Sequence, residues 1–183
     1  MQDIYRRALD ELHEVLVAVD KAGIDAAIEM IAGARRIALY GVGREGLQMK
    51  GFAMRLFHLG LDAHVVGDMT TPPLGEGDLL IVSAGPGDFS TVSALIGVAR
   101  SAGAKSLCVT AEPDGAAPRA ADAKLVVPAQ TMARDTTAPT SVLPMGSLYE
   151  GALYLLFEIL ILSLRERLGI DAAAMRARHT NLE

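Results

Sequence analysis

Residues 35–46 read RRIALYGVGREG. A short apolar run, Ile37 to Tyr40, ends in glycines at 41, 43 and 46, and a helical pattern takes over from Arg44 to Leu59. A run this short and this apolar, closed by a glycine turn and a helix, predicts a strand buried on both faces and the opening of a βαβ unit. The same alternation continues outward. DAHVVG (62–67), DLLIVSAG (78–85), KSLCVT (105–110) and AKLVVP (123–128) read as further strands, with a helix from Phe89 to Ala102. Upstream, amphipathic helices fit residues 2–20 and 25–34; downstream, a long apolar helix runs from about Gly146 to Leu168 and a short one over 170–177. The pattern predicts a single α/β domain over residues 1–183, with five parallel strands in a doubly wound, three-layer α/β/α arrangement. In such sheets ligands bind at the carboxyl ends of the strands.

The composition of the 183 residues narrows the function classes. Hydrophobic residues make up 51% and charged residues 21%, with a net charge of −5. That is a globular chain without the basic stripe of a dedicated nucleic-acid binder, so no nucleic-acid partner is expected. The charged, periodic N-terminus has no signal-peptide core, which leads to an expected cytoplasmic location. GALYLLFEILILSL (151–164) falls short of the ~20 residues of a membrane span. Glu158 interrupts it, so it reads as a core helix with no membrane partner. The one cysteine, Cys108, sits in an apolar run and reads as a buried, inert thiol. The four histidines show no metal-ligand spacing, so no metal site is expected.

Two glycine turns carry the chemistry. Gly41, Gly43 and Gly46 stand as G-x-G-x-x-G, and Asp68 lies where a dinucleotide-binding fold places its ribose-binding acid. One small domain leaves little room for a dehydrogenase's substrate domain, so a small polar or anionic ligand near the helix start ranks ahead of that reading. The second turn, SAGPGDFST (83–91), follows the DLLIVS strand. Gly85 and Gly87 there allow a close approach of backbone to ligand, while Asp88 or Ser90 is expected to cap the next helix. The long stretch Pro128 to Pro144 is a candidate active-site loop. Ser147 and Glu150 in PMGSLYEGAL have capping-box spacing; the functional alternative is a general base held rigidly at a helix start. His179 lies in the tail MRARHTNLE, past the last helix.

Taken together, GVGREGLQMKGFAMRLFHLG, DAHVVGDMTTPP, GDLLIVSAGPG, TAEPDGAAPRAAD, PMGSLYE and RHTNLE resemble the sugar isomerase (SIS) domain proteins, most closely the 6-phospho-3-hexuloisomerases. The pieces run in family order along nearly the whole chain. The resemblance implies a five-stranded SIS sheet and a homo-oligomer, most often a tetramer. The N-terminal helix (2–20) and the long helix at 146–168 offer more apolar face than one small sheet can cover, and the N-terminal helix and the tail (171–183) are expected in oligomer contacts. The resemblance also implies interconversion of a 3-hexulose 6-phosphate and fructose 6-phosphate through an enediolate, without a cofactor. Glu150 matches the family's candidate base, and His179 its tail histidine, a proton shuttle or ring-opening group contributed by the same or a neighbouring subunit.

The same comparison marks departures. Where the family's first loop has Ser after Gly-Arg, this chain has Glu45; where its second loop reads Ser-Gly-Ser-Gly-Glu-Thr, this chain reads Ala84-Gly85-Pro86-Gly87-Asp88-Phe89. The hydroxyls that would hold a phosphate are missing, and Pro86 has no N–H. Expected ligand contacts are Gly41, Gly43, Arg44, Glu45, Thr70, Thr71, Ser83, Gly85, Gly87, Asp88 and Ser90. Two settings for Glu45 stay open: facing the site and accepting sugar hydroxyls, or turned outward to Lys50 while Gly85 and Gly87 still hold phosphate. Two functions stay open as well: an isomerase of a phosphorylated or unphosphorylated sugar, or a non-catalytic sugar-binding module. Retention of Glu150 and His179 favours the enzyme.

Overall fold

A computed structural model describes residues 1–135 and 140–182. The elements follow in the order α1 (Gln2–Val17), α2 (Lys21–Gly33), β1 (Ile37–Gly41), α3 (Gly43–His58), β2 (Ala63–Val65), β3 (Leu79–Ser83), α4 (Ser90–Ser101), β4 (Lys105–Thr110), α5 (Ala116–Ala120), β5 (Ala123–Val126), α6 (Ser147–Leu168) and α7 (Ala172–Ala177). The five strands pair in parallel in the order β2-β1-β3-β4-β5. The expected α/β class and five-stranded parallel sheet are therefore present.

Alternation along the strands builds the two flanking layers. Ile37, Leu39, Leu79 and Ile81 pack with α1, α2, α3 and α6 on one face. Ala38, Leu80, Val82 and Cys108 pack with α4 and α5 on the other. Burial pushes the Cys108 thiol up to about 12, so it stays a neutral core group.

The strand order reverses between β1 and β3, which makes the crevice beyond their carboxyl ends the topological switch point. The glycines at the end of β1 are there for packing. A Cβ on Gly46 would lie 2.5 Å from the Gly41 carbonyl oxygen, and one on Gly41 would lie 2.9 Å from the Gly46 nitrogen. Only glycine at both positions lets the first turn of α3 press against the end of β1. α6 has the length and apolarity of a membrane span, but half of that window is buried inside the domain. There it packs on α1, α2 and α3, as the core-helix reading expected.

Candidate active site

Three short segments converge beyond β1 and β3: the β1–α3 turn, the β3–α4 turn and the start of α6. Val42, Arg44, Glu45, Pro86, Thr131, Tyr149 and Glu150 line a cleft of about 440 Å³ between them. Thr131, Met132 and Ala133 come from the long loop after β5, the candidate active-site loop, so part of that loop lines the cleft. The part of it at 136–139 lies outside the described residues.

The start of α6 differs from the capping-box reading in an informative way. Met145 and Gly146 both take left-handed backbone, with φ of 55° and 81°, and Gly146 is the N-cap. Ser147 is thus already inside the helix and caps nothing. Its hydroxyl accepts from Arg44 Nη1 at 2.9 Å, while Arg44 Nη2 donates to the Met145 carbonyl. Glu150 is not a cap partner either. Its carboxylate lies 3.0 Å from Arg44 Nε. Burial raises the Glu150 pKa most, Arg44 opposes that rise, and the nearby charge of Glu45 adds to it. A carboxylate held on a rigid helix start, with its proton affinity raised, is suited to general-base work.

Glu45 lines the cleft and is not turned outward to Lys50. It is 7% exposed and far from pairing with Lys50, which is exposed. Glu45 Oε2 accepts the Ser83 hydroxyl at 2.5 Å and the Gly85 N–H at 3.0 Å. A Cβ on Gly85 would stand 2.8 Å from Tyr149 Cε1 and 2.9 Å from Glu45 Oε1, so glycine there opens the seat for both side chains. Ser83 spends its single proton on Glu45, so the Tyr149 hydroxyl at 3.2 Å is the donor to Ser83 Oγ. A chain Tyr149 → Ser83 → Glu45 results, inside a buried floor. Burial raises the Glu45 pKa; the hydrogen bonds from Ser83 and Gly85 work against that rise.

That sign has a stability consequence. A carboxyl whose folded pKa exceeds its unfolded value costs nothing below the unfolded value and progressively destabilises as pH rises between the two. Glu45→Gln keeps an acceptor for Ser83 and removes the buried charge. The melting temperature of the variant relative to wild type is expected to climb as pH rises from acid through the carboxylate range. Thermal melts across that range check it; a difference that stays flat or falls would contradict the burial account.

Other expected contacts divide. Gly43, Arg44 and Glu45 line the cleft, and Ser83 and Gly85 lie beneath it through Glu45. The Gly87 N–H donates to the Ala84 carbonyl and is not available to a ligand. Asp88 and Ser90 are exposed and do not line the cleft; no side chain caps α4, and Asp88 accepts from Ser93 instead. Thr70 and Thr71 lie away from it, in a separate groove with Lys50, His64 and Asp68, and Thr71 donates to the Val65 carbonyl.

His179 is also remote from Glu150 within one chain. Its ring stacks on His58 with centroids 5.2 Å apart, and Arg178 donates to the His58 carbonyl. His58 ends α3, whereas Arg44, the partner of Glu150, begins it. Fourteen residues of helix separate them, about 21 Å at ~1.5 Å per residue. The tail is thus anchored at the opposite end of α3. Sequence reasoning missed Tyr149 in the floor and, in the cleft wall, Thr131, which is 2% exposed and whose hydroxyl has no hydrogen-bond partner among the described residues. Only its membership of the candidate loop pointed toward it.

With this geometry in place, the comparisons with known proteins are specific. Residues 30–153 match the SIS domain. The chain belongs to the SIS domain family. It is 35% identical over 175 residues to a 3-hexulose-6-phosphate isomerase of Bacillus subtilis, covering 96% of this chain and 95% of that one. It is 36% identical over 174 residues to the enzyme of the same name from Mycobacterium gastri, covering 95% and 87%. Among solved structures, a Methanococcus jannaschii protein for which a 3-hexulose-6-phosphate isomerase function was inferred superposes with a TM-score of 0.86 at 27% identity, over the full length of both chains.

Proposed function

We propose that this chain is a phosphosugar isomerase that interconverts a 3-hexulose 6-phosphate and fructose 6-phosphate. The observation that carries the reading is Glu150: a carboxylate on a rigid helix start, paired with Arg44, lining the switch-point cleft and raised in proton affinity by burial. Relatives named 3-hexulose-6-phosphate isomerase, similar over nearly the whole chain, support the substrate.

The chemistry needs few parts. Glu150 removes the proton from C2 of the 3-ketose, leaving a 2,3-enediolate, and returns a proton to C3. The hydroxyl proton moves from the C2 oxygen to the C3 oxygen, and the carbonyl is now at C2. Atoms and charge balance without an external oxidant. Arg44 holds the Glu150 carboxylate in place and offsets part of its charge. His179 of a second copy serves as the oxygen-to-oxygen proton shuttle, its ring nitrogens able to give a proton to one oxygen and take one from the other.

A second copy is supported by the surface. Met54 and Phe57 on α3 and Tyr154, Leu155, Ile159 and Leu162 on α6 are exposed apolar side chains on two adjoining helices. Apolar faces of this kind mark interfaces. The protein is expected to run as a tetramer in the cytoplasm; light scattering giving a monomer at micromolar concentration would overturn the assembly. The activity itself is tested by following fructose 6-phosphate by carbon NMR. A new C3 carbonyl signal supports the assignment, and an unchanged spectrum at high enzyme contradicts it.

A further inference from the structure

The donors that the β3–α4 turn offers between the end of β3 and Gly87 are already committed. The Ser83 hydroxyl and the Gly85 N–H go to Glu45, the Gly87 N–H goes to Ala84, and Pro86 has none. The first turn of α3, where negative charge is favoured, carries the Glu45 carboxylate itself. Arg44 is the one cation among the described lining residues, against two carboxylates, Glu45 and Glu150. Glu45 Oε1 and Thr131 Oγ1 have no hydrogen-bond partner among the described residues.

We infer that Glu45 and Thr131 form a hydroxyl-binding subsite in the cleft, one that takes a free hydroxyl of the sugar and excludes phosphate from the floor between the β1 and β3 turns. A sugar hydroxyl donates to Glu45 Oε1, and a second hydroxyl on the same polyol chain satisfies Thr131 Oγ1, an atom closed to solvent in this structure. A phosphate dianion entering the same place would meet a carboxylate in a partly desolvated site, with the Ser83 hydroxyl and the Gly85 N–H already taken by it. Any phosphate on the substrate then stays at the mouth, where Arg44 is half exposed. This inference rests on the isomerase reading for its sugar ligand and adds which end of that sugar is buried.

The test is a pair of NMR titrations of the intact protein, with inorganic phosphate and with fructose, so that binding is read without turnover. Wild type is expected to bind phosphate weakly. Glu45→Ser, which removes the charge and frees the Gly85 N–H, should tighten phosphate by about ten- to a hundredfold, the worth of a charge-assisted hydrogen bond. Glu45→Gln, which preserves the packing, should shift it in the same direction. Thr131→Val should weaken fructose by about three- to tenfold, the worth of a neutral hydrogen bond, with no fall in melting temperature. Wild type binding phosphate as tightly as both Glu45 variants, or Thr131→Val binding fructose like wild type, overturns the subsite. If the titrations come out as expected while no sugar phosphate is turned over, the subsite stands and the isomerase reading fails.

Discussion

Glu150→Gln is expected to lower turnover about 10²–10⁴-fold, the range general-base catalysis supplies. The amide keeps the size of the side chain and still accepts from Arg44, but it cannot take a carbon-bound proton. The melting temperature should stay close to that of wild type, because Glu150 caps nothing and its buried charge is not a source of stability. Steady-state kinetics with parallel melts separate the two effects. Activity near wild type would remove Glu150 from the base role. The pH dependence adds a second readout: kcat/KM should fall on the acid side with an apparent pKa above the ordinary glutamate range, the direction burial imposes.

Removing the tail beyond Ala177 is expected to cost a comparable factor, about 10²–10⁴-fold, if its imidazole moves the oxygen proton. The described tail residues 178–182 are exposed on the surface, where Arg178 donates to His58 and Ala174 and His179 stacks on His58. The core should therefore remain folded. The distance along α3 gives the sharper form of this prediction. Within one chain the tail is anchored at the far end of α3 from the Arg44–Glu150 pair, so mixing inactive Glu150→Gln with inactive tail-deleted protein should restore activity in hybrid assemblies. Recovery of about a quarter of full activity is the rough expectation for random pairing of subunits. No recovery, with subunit exchange shown independently, would place both groups in one chain's site or deny the tail its role.

Much of this architecture could be read from residue order because local pattern and tertiary context agree. Runs such as IALYG and LLIVS are buried on both faces, and each is closed by a glycine that its neighbours require. The misreadings have physical causes. DAHVVG shrinks to the three paired residues of an edge strand, Ala63 to Val65. α5, AAPRA, is one short turn with Pro118 inside it and leaves no periodic signal. The Ser147–Glu150 spacing satisfies a capping box, but left-handed backbone at Met145 and Gly146 starts the helix so that the pair cannot use it. Glu45 was visible as a departure, yet its direction was not. That depends on a void at Gly85, forty residues away, and on Ser83 and Tyr149 closing around it. Thr131 gave no sequence signal of its own, because an unpartnered hydroxyl is a property of the packed loop.

Proton exchange at carbon tests the central claim most directly. In deuterium oxide with fructose 6-phosphate, the wild-type protein is predicted to place deuterium at C3 of the recovered sugar, through return of the 2,3-enediolate, and Glu150→Gln is predicted to place none. Deuterium at C3 with the Glu150→Gln protein at the wild-type rate, or no exchange at C3 by wild type, would contradict the account.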